Sequence, residues 1–181
     1  LFEHDLFGKP AAAPQSSAGR AFSDDALIRN YVKRAIEADI GSDPIFGYDG
    51  PMYRAVTRQI EVTVEPNFMP ESSSAEKSEY FWSYTIVITN AGDETVQLRE
   101  RRWIITDASG RQRKVRGEGV VEQQPVLAPG ERFEYTSGVP LSTASGFMAG
   151  CYQMVSETGE HFEIEVPAFS LDSPYHRRVL N

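Results

Sequence analysis

The sequence predicts an all-β fold, an antiparallel β-sandwich preceded by an N-terminal extension with one helix. Three observations predict it. From Met52 onward the apolar residues recur at every second position, the period of a half-buried strand. The alternating runs are short and separated by the turn-rich stretches NAGDE, DASG, APGER and SETGE. No run of helical spacing falls between them, which excludes a parallel sheet, because its crossovers need helices.

Residues 1–51 form the extension and residues 52–181 the sandwich domain. The stretch LFEHDLFGKPAAAPQSSAGRA is rich in Ala, Pro, Ser and Gly and reads as a tail or linker. Within it, EHDLFG resembles short sliding-clamp-binding peptides, with Glu3 in place of their usual glutamine. FSDDALIRNYVKRAIEADIG then predicts a helix. Ser23 is its N-cap, Asp24 and Asp25 suit the positive first turn, and Gly41 suits the stop. Leu27, Ile28, Tyr31, Val32, Ala35 and Ile36 form one apolar stripe, which must bury against the main domain, a second copy or a protein partner. The Gly- and Pro-punctuated loop GSDPIFGYDGP leads to Met52.

In RQIEVTVEP, Ile60, Val62 and Val64 share one face and Glu61, Thr63 and Glu65 the other. Two long strands meet at NAGDE. In the first, Tyr80, Trp82, Tyr84, Ile86 and Ile88 share one face, against Phe81, Ser83, Thr85, Val87 and Thr89; core packing is expected of it, and an exposed patch of Tyr80, Trp82 and Tyr84 would instead mark a binding site. A strand opened by APGER turns Phe133 and Tyr135 inward. GFMAGCYQMVSETGEHFEIEVPAFSL is a hairpin about SETGE, with Phe162, Ile164 and Val166 alternating with acids. Seven or eight strands are expected.

The 181 residues, 40% of them hydrophobic, suffice for one cored domain with an appendage. No apolar run approaches the roughly 20 residues that span a bilayer, so no membrane partner is expected. No basic-then-apolar leader pattern opens the sequence. The net charge of −8 disfavours broad nucleic-acid binding. Cys151 is the only cysteine, which rules out a disulfide framework and fits a reducing cytoplasm. His4, His161 and His176 have no ligand spacing, so no metal site is expected from them.

The charge is unevenly spread. Arg99, Arg101, Arg102, Arg111, Arg113, Lys114 and Arg116 lie close together, opposed there only by Glu100 and Asp107. They adjoin KVRGEGVVEQQP, in which Gly117-x-Gly119 begins a dinucleotide-like fingerprint but Glu122 stands where a third glycine would. Such a loop works by presenting a helix N-terminus to the pyrophosphate. Val120, Val121 and Pro125 oppose a helix, and Glu118 and Glu122 would repel a phosphate. A strand connection remains, whose amides could cradle an anion as a nest. The candidate anion-binding residues are Gly117, Gly119, Arg101, Arg113, Lys114 and Arg116. The competing reading is structural: the glycines supply positive φ for a turn and the arginines solvate an exposed face.

No catalytic set emerges. Ser137 lies in TSG, not in a nucleophile elbow, and Cys151 sits in an apparent strand as a near-core residue. Glu163 and Glu165 share a face and could touch a hard cation, but a site needs more ligands than two. The chain is expected not to be an enzyme.

RRWIITDASGRQRKVRGEGVVEQQPVLAPGERFEYTSGVPL followed by GCYQMVSETGEHFEIEVPAFSLDSP resembles the ApaG family, over about Tyr53 to Pro174. The resemblance implies an immunoglobulin- or fibronectin-III-like sandwich. It also implies protein–protein contacts, as in similar modules of eukaryotic F-box proteins and a polymerase-δ-interacting protein. Bacterial members are linked to cobalt tolerance and magnesium efflux and to binding of nucleotides or pyrophosphate. The family's third glycine falls at Glu122, and a residue often histidine before the tryptophan is Arg102 here. The expected function is therefore a non-enzymatic binding module for a protein partner, with homo-oligomerisation open. The alternative is a binder of anions, pyrophosphate-containing nucleotides or divalent cations (Mg or Co), and no other cofactor is expected.

Overall fold

A computed structural model describes residues 52–174. The expected helix with Leu27, Ile28, Tyr31, Val32 and Ile36, and the sliding-clamp-like stretch, lie outside the described residues. Those residues form two antiparallel sheets. The first contains β1 (Tyr53–Thr57), β2 (Ile60–Phe68), β3 (Tyr80–Asn90) and β7 (Arg132–Leu141), in the order β1-β2-β3-β7. The second runs β5-β4-β8-β9, from β4 (Val96–Asp107), β5 (Gln112–Glu118), β8 (Ser145–Ser156) and β9 (His161–Asp172). β6 (Val126–Leu127) adds to β4 beyond the end of β5. Nine strands are therefore described where seven or eight were expected. A 3-10 turn at Pro70–Ser72 interrupts the β2–β3 connection.

The period-two pattern accounts for the layers. Ile60, Val62 and Val64 on β2 and Trp82, Tyr84, Ile86 and Ile88 on β3 face inward and are buried. Across the interface they meet Leu98, Trp103 and Ile105 of β4, Met148, Tyr152 and Met154 of β8, and Ile164, Val166 and Phe169 of β9. Burying each large apolar side chain contributes roughly 1.5–3 kcal/mol before the cost of ordering the chain. Aromatic packing joins the sheets at the centre. The Tyr84 and Trp103 rings meet edge-on with centroids 5.9 Å apart, and Trp103 meets Tyr152 likewise at 6.0 Å. The Tyr135 and Tyr152 hydroxyls, one from each sheet, share a buried hydrogen bond of 2.5 Å.

NAGDE joins two strands that do not pair with each other; it carries the chain from the first sheet to the second. Buried Asn90 holds this crossing. Its amide nitrogen donates to the Glu94 and Leu127 carbonyls at 2.8 and 2.9 Å, and its side-chain oxygen accepts from the Gly92 N–H at 3.0 Å. DASG and SETGE, in contrast, are hairpin turns within the second sheet.

The two long sides of the sandwich differ. On one, β1 is stitched to β9. The Tyr53 hydroxyl bonds Ser170 Oγ at 2.8 Å, the Glu165 N–H donates to Thr57 Oγ1 at 3.2 Å, and the Arg58 guanidinium lies 4.8 Å from the centroid of Phe162. On the other side, β5 and β7 are edge strands that do not pair with each other. A groove lies there.

Candidate functional site

The basic cluster rides on the β4–β5 hairpin, and its register decides which residues meet. Arg101 pairs with Gly117, Trp103 with Val115 and Ile105 with Arg113. Because side chains alternate between faces, Arg101, Arg113 and Gly117 share the core side with buried Trp103 and Ile105. Arg102, Lys114 and Arg116 belong to the opposite, outer side. Of the six candidate anion residues, Arg101, Arg113 and Gly117 thus lie on one face, Lys114 and Arg116 on the other, and Gly119 follows the end of β5.

On the inner side Arg101 and Gly117 fit together. The Arg101 guanidinium donates to the carbonyls of Glu118 and Gly119 at 3.0 and 2.8 Å. A Cβ on Gly117 would stand 3.0 Å from the guanidinium carbon. The room that glycine leaves is taken by an arginine of the same hairpin. Gly119 has φ +55°, and a Cβ there would lie 2.1 Å from the Gln123 carbonyl oxygen, so the chain doubles back only because this residue is glycine. The amides of this bend are occupied. The Gly119 N–H donates to the Arg99 carbonyl at 2.9 Å, and Val120 and Gln123 exchange two N–H···O bonds of 2.8 Å around a tight turn. Val121 and Glu122 occupy that turn at φ 42° and 65°, a region unfavourable for a β-branched residue such as valine.

On the outer side the charges form a chain across the sheet. Glu100 accepts from Arg116 at 2.6 Å and from Arg102 at 2.9 Å, and Arg102 also lies 3.5 Å from Glu163. The bond from Arg116, then that from Arg102, holds the Glu100 carboxyl below its ordinary range. Glu163 accepts from Gln153 as well, at 2.5 Å. Beside it, burial and then the Glu163 contact push the Cys151 thiol up to about 11. The exposed Lys114 side chain has no hydrogen bond or ion pair among the described residues. Among those residues no group of three or more His, Cys, Asp or Glu could hold a metal ion.

The groove between β5 and β7 escaped sequence reasoning. It has a volume of about 650 Å³ and is lined by Tyr80, Phe81, Ile105, Arg113, Pro140 and Leu141, with polar Glu79, Asp107, Arg111, Gln112 and Ser142 also on its lining. Three of these lining residues are bonded to one another. The Arg111 guanidinium donates to Asp107 at 2.9 Å and to Ser142 Oγ at 3.1 Å. The Asp107 carboxyl is held below its usual range first by the Ser109 hydroxyl, which donates to it at 2.6 Å. Arg113 projects from the β5 wall, half-buried, and its one side-chain hydrogen bond among the described residues runs to the Pro140 carbonyl at 3.5 Å. Burial pulls its guanidinium below the ordinary arginine value. The signal for this placement was in the sequence: Arg113 and Val115 alternate as Arg101, Trp103 and Ile105 do, so the two arginines lie in phase with core residues.

These features define a class, a small antiparallel sandwich sealed along one side and grooved along the other. Comparison with known proteins narrows it. The family model described as the ApaG domain matches residues 70–156. Protein ApaG of Bradyrhizobium diazoefficiens is 80% identical over 130 residues, which is 72% of this chain and 100% of that protein. Protein ApaG of Rhodopseudomonas palustris strain TIE-1 is 76% identical over the same shares. The crystal structure of an ApaA protein from Bordetella pertussis has a TM-score of 0.63 at 45% identity, covering 70% of this chain and 98% of that one. The chain belongs to the ApaG domain family. No helix among the described residues is long and apolar enough to cross a membrane.

Proposed function

We propose that this chain is a non-enzymatic binding module that meets a protein partner through the open side of its sandwich. The observation that carries this reading is the groove between β5 and β7. Its walls are apolar, its volume of about 650 Å³ suits one or more bulky side chains, and two strand edges flank it. Exposed apolar surface of this kind, rimmed by polar residues, is how recognition sites differ from the rest of a soluble surface. Affinity capture with the full chain tests it. A reproducible protein partner is expected, and its yield should fall when Tyr80→Ala and Gln112→Glu are introduced at the groove. Capture of the same partner at unchanged yield by that variant contradicts the assignment.

A second reading, an anion or pyrophosphate–nucleotide site linked to Mg or Co, draws its support from exposed Lys114. The geometry favours it less, since the amides of Gly119, Val120 and Gln123 already bond to backbone carbonyls and the arginines divide between two faces. Calorimetry with pyrophosphate, ATP, Mg²⁺ and Co²⁺ tests it. Heat at millimolar ligand that disappears in Lys114→Gln would support it.

A further inference from the structure

We infer that the groove between β5 and β7 takes an extended acidic–apolar peptide. A bulky apolar side chain packs against Tyr80, Ile105 and Leu141, and a carboxylate one or two residues away bonds the Arg113 guanidinium. This rests on the binding-module reading and adds to it a site and the chemistry of the partner.

Arg113 supplies the argument from charge. A guanidinium carries five N–H donors. Here one of them reaches a carbonyl at 3.5 Å, the outer limit of a hydrogen bond, although the side chain is half-buried. Arg54, Arg58, Arg102, Arg111 and Arg116 each face a carboxylate, whereas Arg113 has none among the described residues. A partly desolvated cation with unused donors is unfavourable until an anion arrives, and a carboxylate matches its planar fork. Apolar walls beside that cation select the rest of the ligand. They suit a carboxylate attached to a hydrophobic group better than a compact polyphosphate, which needs several converging cations. The β5 and β7 edges give an extended backbone somewhere to pair, which favours a peptide over a small acid.

Random-peptide display on the immobilised full chain, counter-selected against an unrelated β-sandwich protein, supplies the probe. The most enriched sequence is synthesised with a fluorophore, alongside its Asp→Asn or Glu→Gln counterpart. Both are titrated by anisotropy against the wild type, Arg113→Gln, Arg113→Lys and the control Arg132→Gln, an exposed residue at the end of β7 away from the groove, each first checked for an unchanged melting temperature. Enriched peptides should carry an acid within two positions of a bulky apolar residue. Arg113→Gln and the amide peptide should each weaken binding about tenfold or more, and the two changes together should do no worse than either alone. Arg113→Lys should recover part of the loss, and Arg132→Gln should change nothing. Bound peptides insensitive to Arg113 overturn the groove assignment while leaving a binding module intact. A lack of enrichment overturns the inference too, and the capture experiment then decides the broader reading separately. Displacement of the probe by synthetic peptides of residues 23–41 or 175–181 would assign the groove to the chain's own segments and overturn an external partner. So would a dimer in sedimentation that dissociates in Arg113→Gln, by assigning it to a second copy.

Discussion

Gly117→Ala asks what the glycine of the hairpin is for. The added Cβ would sit 3.0 Å from the Arg101 guanidinium carbon and from one of its terminal nitrogens, and 3.1 Å from the other. Those atoms end a flexible side chain, so they can move, but moving takes Arg101 off the Glu118 and Gly119 carbonyls that it bonds at 3.0 and 2.8 Å. Two partly exposed, charge-assisted bonds are together worth about 1–2 kcal/mol after solvent competition. Alanine returns roughly 0.5 kcal/mol, because glycine inside a strand loses more backbone freedom on folding. The net expected loss is therefore about 1 kcal/mol in the wild-type background. In an Arg101→Ala background the obstacle is gone, and Gly117→Ala should be neutral or slightly stabilising. Urea denaturation of the four proteins measures this as a double-mutant cycle with a coupling of about 1–1.5 kcal/mol. A coupling below about 0.3 kcal/mol would refute the claim that Gly117 exists to accommodate Arg101.

Three more outcomes follow from the same structure. Tyr152→Phe leaves the buried Tyr135 hydroxyl without its 2.5 Å partner and should cost about 1–3 kcal/mol in urea unfolding, whereas Tyr135→Phe with Tyr152→Phe should cost less than the sum of the singles. Glu100 has a folded-state pKa below its ordinary 4.5, so it stabilises the fold above that value and the contribution fades as pH falls through the lower, folded one. The melting-temperature gap between wild type and Glu100→Gln should accordingly shrink from pH 7 to pH 3, and a gap that grows on acidification contradicts the outer-face charge chain. The Cys151 thiol, pushed up to about 11, should react with maleimide at pH 7.5 far more slowly than free cysteine, with a rate still rising at pH 9. Reaction as fast as free cysteine would mean that the thiol is neither buried nor held by Glu163.

The layers were legible because alternation is a local signal. Trp82, Tyr84, Ile86 and Ile88 announce a buried face, and that face is buried. Glu163 and Glu165 alternate with Ile164 and Val166 as expected. Connectivity between sheets was less legible, because NAGDE looks like a hairpin turn, and the buried Asn90 that makes it a crossing bonds residues up to 37 positions away. β6 is two residues long, too short to show a period. The charge cluster misled for a related reason. Seven basic residues in one stretch suggest a single patch, but a β-hairpin distributes consecutive residues to opposite faces. Glu163, brought from β9, adds an acid that a local count omits. The groove was invisible because it arises between strands distant in sequence, where two edges fail to meet.

Recognition at the open side of the sandwich, not at the glycine bend, is tested most directly by amide chemical-shift mapping on the isotope-labelled full chain. Two titrations are compared, one with the display-selected peptide and one with pyrophosphate. The peptide should give saturable shifts clustered at Tyr80, Ile105, Arg113 and Leu141, while pyrophosphate leaves Gly117 and Gly119 unmoved. Saturable pyrophosphate shifts centred on Gly117 and Gly119, with the groove amides unmoved by the peptide, would contradict it.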